Sequence, residues 1–161
     1  MNILFVCMGN ICRSPTAKGF FDLHCTNRGL ETHYCSESAG THGWHAGQPP
    51  DPRSISAAAD WDVNISDDLS RKVHAEDYNN FDFIVAMDRS NLTELRTPGS
   101  ASANAELGLL LSFSDKFQGS DVPDPYFGGE RGFDDVCSML NEACADFLDH
   151  LESIRNNQPA S

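Results

Sequence analysis

Residues Ile3 to Val6 form an unbroken apolar run. The chain then passes through a Gly-containing segment, Cys7 to Arg13, into Ser14-Pro15. A short apolar run bounded in this way predicts a buried strand. Ser followed by Pro is the pattern of a helix N-cap and first helical residue, so a helix is expected from Ser14 to about Arg28. A strand feeding a helix through a short loop is the start of an α/β fold. In open α/β sheets ligands bind just beyond the strand C-termini, which is where Cys7 falls.

The rest of the chain repeats this alternation. Thr32 to Ser38, Phe81 to Ala86 and Leu109 to Phe113 read as further strands. Asp51-Pro52 opens a second helix that runs to about Trp61, and Ser90 to Leu95 reads as a short one. Phe133, Val136, Leu140, Ala143, Phe147 and Leu151 recur at helical spacing and predict a C-terminal helix over 133–154. Ala39 to Pro50 and Asp121 to Gly129 are Gly- and Pro-rich loops. A parallel sheet wrapped by helices follows, with no repeat and no second domain.

The bulk numbers fit that reading. At 161 residues and 40% hydrophobic content, the chain suits one domain with a real core. A net charge of -13 argues against nucleic acid and anionic membrane as partners. No apolar run approaches the ~20 residues of a membrane span, and Ile3 to Val6 is too short for a signal-peptide core. A cytoplasmic location is expected. Six cysteines in a chain of this length are not a disulfide scaffold, so at least one calls for a chemical explanation.

Cys7 and Arg13 supply one. They stand as Cys-x5-Arg in a loop that leads into a helix N-terminus, where amides converge and the dipole favours an anion. A cysteine in such a place, beside a cation, ionises more readily than a free one. Arg13 can hold two phosphate oxygens with its planar fork, and Ser14 can donate to the thiolate. Gly9 and Asn10 let the backbone curl. The residues alone thus point to phosphate binding; a buried cysteine with a capping serine is the plainer alternative.

Cys7 to Pro15, C-M-G-N-I-C-R-S-P, resembles the phosphate-binding loop of the low-molecular-weight protein tyrosine phosphatases, C-x-G-N-x-C-R-S-P. Further matches are S-A-G-T at Ser38 to Thr41, P-x-D-P-R at Pro49 to Arg53, A-M-D-x-S-N at Ala86 to Asn91 and V-P-D-P-Y-F-G at Val122 to Gly128. The resemblance covers nearly the whole chain, as one domain over 1–154 with a flexible tail over 155–161. It implies a four-stranded parallel sheet with helices on both faces. It also implies hydrolysis of phosphotyrosine in proteins through a phosphocysteine intermediate, without metal or other cofactor. In that scheme Cys7 attacks phosphorus, and Arg13 stabilises the transferring group together with the loop of Met8, Gly9, Asn10, Ile11 and Cys12. Asn10, Ser14 and Ser38 brace the loop.

A tyrosyl leaving group needs a proton, and two Asp-Pro pairs compete to supply it. Asp51 reads well as a helix cap with Pro at N1. Asp124 lies in a Gly/Pro loop before two aromatics, a poor place for a cap, and the family's D-P-Y-[YF]-G selects it. By the same resemblance Trp44, Tyr126 and Phe127 wall the phenyl-binding pocket, and Cys12 is a redox partner for Cys7. His42 and His45 lack the carboxylate or Cys company of a metal site. Among rival activities, arsenate reduction on this fold needs a further cysteine pair in mid-chain, and no cysteine lies between Cys35 and Cys137. Phosphoarginine phosphatases of this type carry Thr at the place of Ile11, an apolar residue better suited to an aromatic ring. A catalytically dead phosphopeptide-binding module would not need Cys7, Arg13 and Asp124 together.

Overall fold

The computed structural model describes residues 1–129 and 131–159, without the side chains of Pro98 and Phe127. Four strands, β1 (Asn2–Cys7), β2 (Cys35–Gly40), β3 (Phe83–Ala86) and β4 (Glu106–Leu109), form one parallel sheet in the order β2-β1-β3-β4. The helices are α1 (Arg13–Asn27), α2 (Pro52–Ala59), α3 (Asp77–Asn80), α4 (Arg89–Leu95) and α5 (Arg131–Asn157). The α/β class and the four-stranded parallel sheet are as expected.

Alternation along β1 sorts its side chains between two layers. Ile3, Phe5 and Cys7 belong to the larger core, under α1, α2 and α5. There the Phe147 ring packs against Phe5, Phe21, Phe83 and Phe113. Leu4 and Val6 belong to the second core, with Ile84, Ala86 and the α4 residues Leu92 and Leu95. Because β1 is central and covered on both faces, its C-terminal end is fixed from every side. The chain leaves β1 toward β2 and later returns on the other side as β3, so Cys7 sits at the point where strand order reverses.

Several boundaries differ from expectation. α1 starts at Arg13 rather than after a Ser14 cap, and the Ser14 hydroxyl turns to other partners, described below. The second strand is Cys35–Gly40, not 32–38, because β1 sets its register from Asn2↔Cys35 to Cys7↔Gly40. The fourth strand is Glu106–Leu109, and Leu110–Phe113, expected as strand, is a 3-10 turn. α5 runs to Asn157, past the expected end at Ile154. Asp51 caps α2 as expected, accepting from the Arg53 amide at 2.8 Å. Among the described residues no helix is long and apolar enough to cross a membrane.

Candidate active site

The loop between β1 and α1 is held from outside by its carbonyls. Cys7 O accepts from Thr41 N (2.9 Å), Met8 O from His42 N (3.0 Å) and Gly9 O from Ser70 Oγ (3.1 Å). Ile11 O accepts from Asp51 N (2.8 Å) and Cys12 O from Thr16 Oγ1 (2.6 Å). No peptide here is cis, and in a trans peptide the N–H points opposite to the C=O. Tying these carbonyls outward therefore turns the amides of Met8, Gly9, Asn10, Cys12 and Arg13 to the other side. That array, at the N-terminus of α1, is an anion cradle.

Asn10 makes the curl possible. Its φ of 57° is left-handed, a region Asn visits at lower cost than most residues. Its side chain then spans the loop. Nδ2 donates to Ser14 Oγ (2.8 Å) and Ser38 Oγ (2.9 Å), and Oδ1 accepts from Arg71 N (3.0 Å). The left-handed residue of the loop is Asn10, not Gly9. Gly9 serves by lacking a side chain, since a Cβ there would stand 3.2 Å from His45 Cδ2.

Cys7 is 3% exposed at the floor, with Ser14 Oγ 3.0 Å from its Sγ. Since Asn10 donates to Ser14, the hydroxyl hydrogen is left for Cys7 Sγ or for Ala39 O at 3.4 Å, and the sulfur is nearer. Arg13 is buried and held on one edge: Nη1 donates to Asp88 Oδ2 (2.6 Å) and Val122 O (3.0 Å). Its Nη2 lies 3.8 Å from Asp124 Oδ2. Burial opposes the guanidinium charge, but Cys7, Asp88 and Asp124 outweigh it and raise the Arg13 pKa above its ordinary value.

Asp124 has two separate contacts. Oδ1 accepts from Tyr126 N at 3.0 Å and so caps the short turn Pro125–Phe127, against the expectation that this loop offers no cap. Oδ2 faces Arg13. A pocket of about 220 Å³ lies between these groups, lined by Cys7, Met8, Ile11, Arg13, Trp44, His45, Asp124 and Tyr126 among others. Trp44 and Tyr126 stand exposed at its mouth, and Trp44 stacks on His42 at 4.2 Å. The Phe127 side chain, the third expected wall, lies outside the described residues.

Cys12 is also buried. Desolvation pushes its thiol up to about 12, against a smaller opposite effect of a hydrogen bond with Ser54. Asp88 is the residue that sequence reasoning left without a role. Its Oδ2 holds Arg13 while Oδ1 caps α4 through Asn91 N (2.7 Å). The signal was present in A-M-D-x-S-N, but the spacing of an N-cap gives no hint of a partner 75 residues away. His45 and Arg53 were likewise unassigned. Among the described residues no group of three or more His, Cys, Asp or Glu side chains gathers as a metal site.

The comparisons with known proteins agree with this geometry. The family described as low molecular weight phosphotyrosine protein phosphatase matches residues 2–158. The low molecular weight protein-tyrosine-phosphatase YfkJ of Bacillus subtilis is 34% identical over 152 residues, 94% of this chain and 96% of that one. A protein tyrosine phosphatase structure from Entamoeba histolytica, with Hepes in its active site, superposes with a TM-score of 0.88. It is 35% identical and covers 96% of this chain and 99% of its own. A Drosophila arginine phosphatase superposes with a TM-score of 0.85 at 33% identity, over 94% of this chain and 98% of its own. With a match of this extent and a Cys-x5-Arg loop folded as an anion cradle, the chain belongs to the low molecular weight phosphotyrosine protein phosphatase family.

Proposed function

We propose that the protein hydrolyses phosphotyrosine in proteins, and small aryl phosphates, through a phosphocysteine intermediate and without a metal. The observation that carries this reading is the convergence of Cys7, Arg13 and Asp124 on one small pocket with Trp44 and Tyr126 at its mouth. The phosphoryl group lies on the loop amides with Arg13 Nη2 at its side. Cys7 Sγ attacks phosphorus as the bond to the aryl oxygen breaks, and that oxygen takes the Asp124 proton. Because Oδ1 accepts from Tyr126 N, the proton belongs on Oδ2, the oxygen toward the pocket. Water then attacks the phosphocysteine and returns a proton to Asp124. Phosphate leaves and Cys7 is regenerated.

The kinship with an arginine phosphatase makes phosphoarginine the substrate to exclude. Ile11 lines the pocket with an apolar side chain, which suits a phenyl ring better than a guanidinium. Cytoplasmic residence belongs to the same reading, since a reactive Cys7 is kept reduced there.

Two variants test the mechanism. Cys7→Ser abolishes turnover yet keeps competitive binding of phosphate, because a hydroxyl stays protonated at neutral pH. Asp124→Ala slows release of a basic phenol by roughly 10²–10⁴ and of an acidic phenol far less. Rapid-quench mass spectrometry should find the phosphoryl group on Cys7. A phosphorylated residue elsewhere, or equal losses for all phenols, would refute the assignment.

A further inference from the structure

We propose that Arg53 is a positioning residue that holds the Asp124 loop in register with the phosphate loop. The inference rests on the reading of Asp124 as general acid. Asp51 N donates to Ile11 O of the phosphate loop at 2.8 Å. The Asp51 carboxylate, itself 8% exposed, takes the Arg53 fork: Nε donates to Oδ1 (3.0 Å) and Nη2 to Oδ2 (2.8 Å). That hydrogen bonding holds the Asp51 carboxyl below its usual range. Two parallel bonds fix the guanidinium plane as one bond could not.

The guanidinium, on a half-exposed side chain, packs over two aromatic rings. Its Cζ is 4.5 Å from the ring centroid of Phe133, a buried residue of α5, and 5.3 Å from that of Tyr126. Tyr126 N is the donor to Asp124 Oδ1. A continuous path therefore runs from Ile11 through Asp51, Arg53 and Tyr126 to Asp124. The first half of the acid loop has its own ties, through Val122 N to Met87 O (2.9 Å), Arg13 to Val122 O and Arg89 to Asp121. Arg53 brings a tie to the second half, where the acid sits. The plainer alternative is that Arg53 only supports its own helix through Asp51, two residues away. The two differ in what they do to chemistry. A helix support affects every substrate alike, whereas a positioner of the acid affects substrates in proportion to their need for a proton.

The experiment measures kcat/KM for aryl phosphates with phenols of graded acidity, for Arg53→Met and Arg53→Lys, each alone and combined with Asp124→Asn. Arg53→Met should lose roughly 10-fold on a basic phenol and clearly less on an acidic one, since small misplacement of a catalytic group is costly. In the Asp124→Asn background it should lose nothing further. Arg53→Lys keeps charge and stem without the planar fork and should show the same pattern at smaller amplitude. If Arg53→Met does not fold, Arg53→Lys decides by the same criteria. A uniform loss across phenols, or an equal loss without the acid, overturns the proposal. If Asp124→Asn itself slows all phenols equally, the acid assignment falls and this inference with it. If Asp124→Asn discriminates among phenols and the Arg53 variants do not, only this inference falls.

Discussion

Replacing Gly40 by alanine tests how rigidly the phosphate loop is seated. Gly40 ends β2, directly behind that loop. A Cβ there would lie 2.7 Å from Met8 O, 2.8 Å from His42 O and 3.3 Å from Asn10 Cβ. The first two are backbone atoms, so no side chain can swing aside. Ordinary contact begins near 3.4 Å, so the backbone must give by roughly 0.6–0.7 Å. Met8 O belongs to the peptide whose N–H is that of Gly9, one of the amides turned toward the pocket. Losing a whole oxyanion donor costs roughly 10²–10³ in rate, and a 1 Å misplacement can cost about 10². A shift of this size should therefore lower kcat/KM about 10- to 100-fold, raise the inhibition constant of inorganic phosphate, and cost about 1–3 kcal/mol of stability as overpacking. Steady-state kinetics with an aryl phosphate, phosphate inhibition and thermal unfolding read the three effects. If the melting temperature falls while kcat/KM and phosphate affinity stay at wild-type values, the strain has escaped through β2, an edge strand. The loop would then be seated independently of the close packing behind Gly40.

Three further outcomes are expected. Ile11→Thr should erode the preference for phosphotyrosine over phosphoarginine peptides, measured as the ratio of kcat/KM values; an unchanged ratio would free Ile11 of that role. Cys12→Ser should raise the fraction of Cys7 driven by peroxide to irreversible acids, since a Cys7 sulfenic acid condenses with the Cys12 thiol to a disulfide and water. A disulfide of Cys7 with any other cysteine in peptide mapping would count against it. Glu152 is held at about 2, chiefly by its hydrogen bond with Arg155 and further by Tyr34. A depressed carboxyl stabilises the fold above its unfolded value near 4.5, and that contribution fades as pH falls toward 2. Glu152→Gln should thus be less stable than wild type at neutral pH and converge with it near pH 2 in denaturant titrations; a constant gap would contradict the linkage.

What the sequence made legible follows from the range of the interactions involved. The β1–loop–α1 unit, the Asp51 cap and α4 are governed by neighbours within a few residues, and their residue types declare them. The fourth strand was misplaced because an apolar run does not say where pairing stops. The four residues of β3 pair with Glu106 to Leu109, and the chain then tightens into a 3-10 turn. Ser14 looked like a cap because Ser-Pro is a local pattern. Its hydroxyl is instead claimed by Asn10 and Cys7, groups that only the folded loop brings near. Cys7, Arg13 and Asp124 do converge, yet Asp88, which orients Arg13 from beyond β3, carries only the mark of an N-cap.

The anchoring of the phosphate loop has a consequence for biosynthesis. Its carbonyls are received by donors at residues 16, 41, 42, 51 and 70, and Arg13 by Asp88 and the carbonyl of Val122. Every chemical group of the nucleophile loop is synthesised within the first fourteen residues, but the loop's shape is dictated by segments made much later. A nascent chain thus lacks the partners that shape the loop and seat Arg13 until Val122 and the helix after it have left the ribosome. On the proposed mechanism, the reactivity of Cys7 is then a property of the completed fold rather than of its own segment.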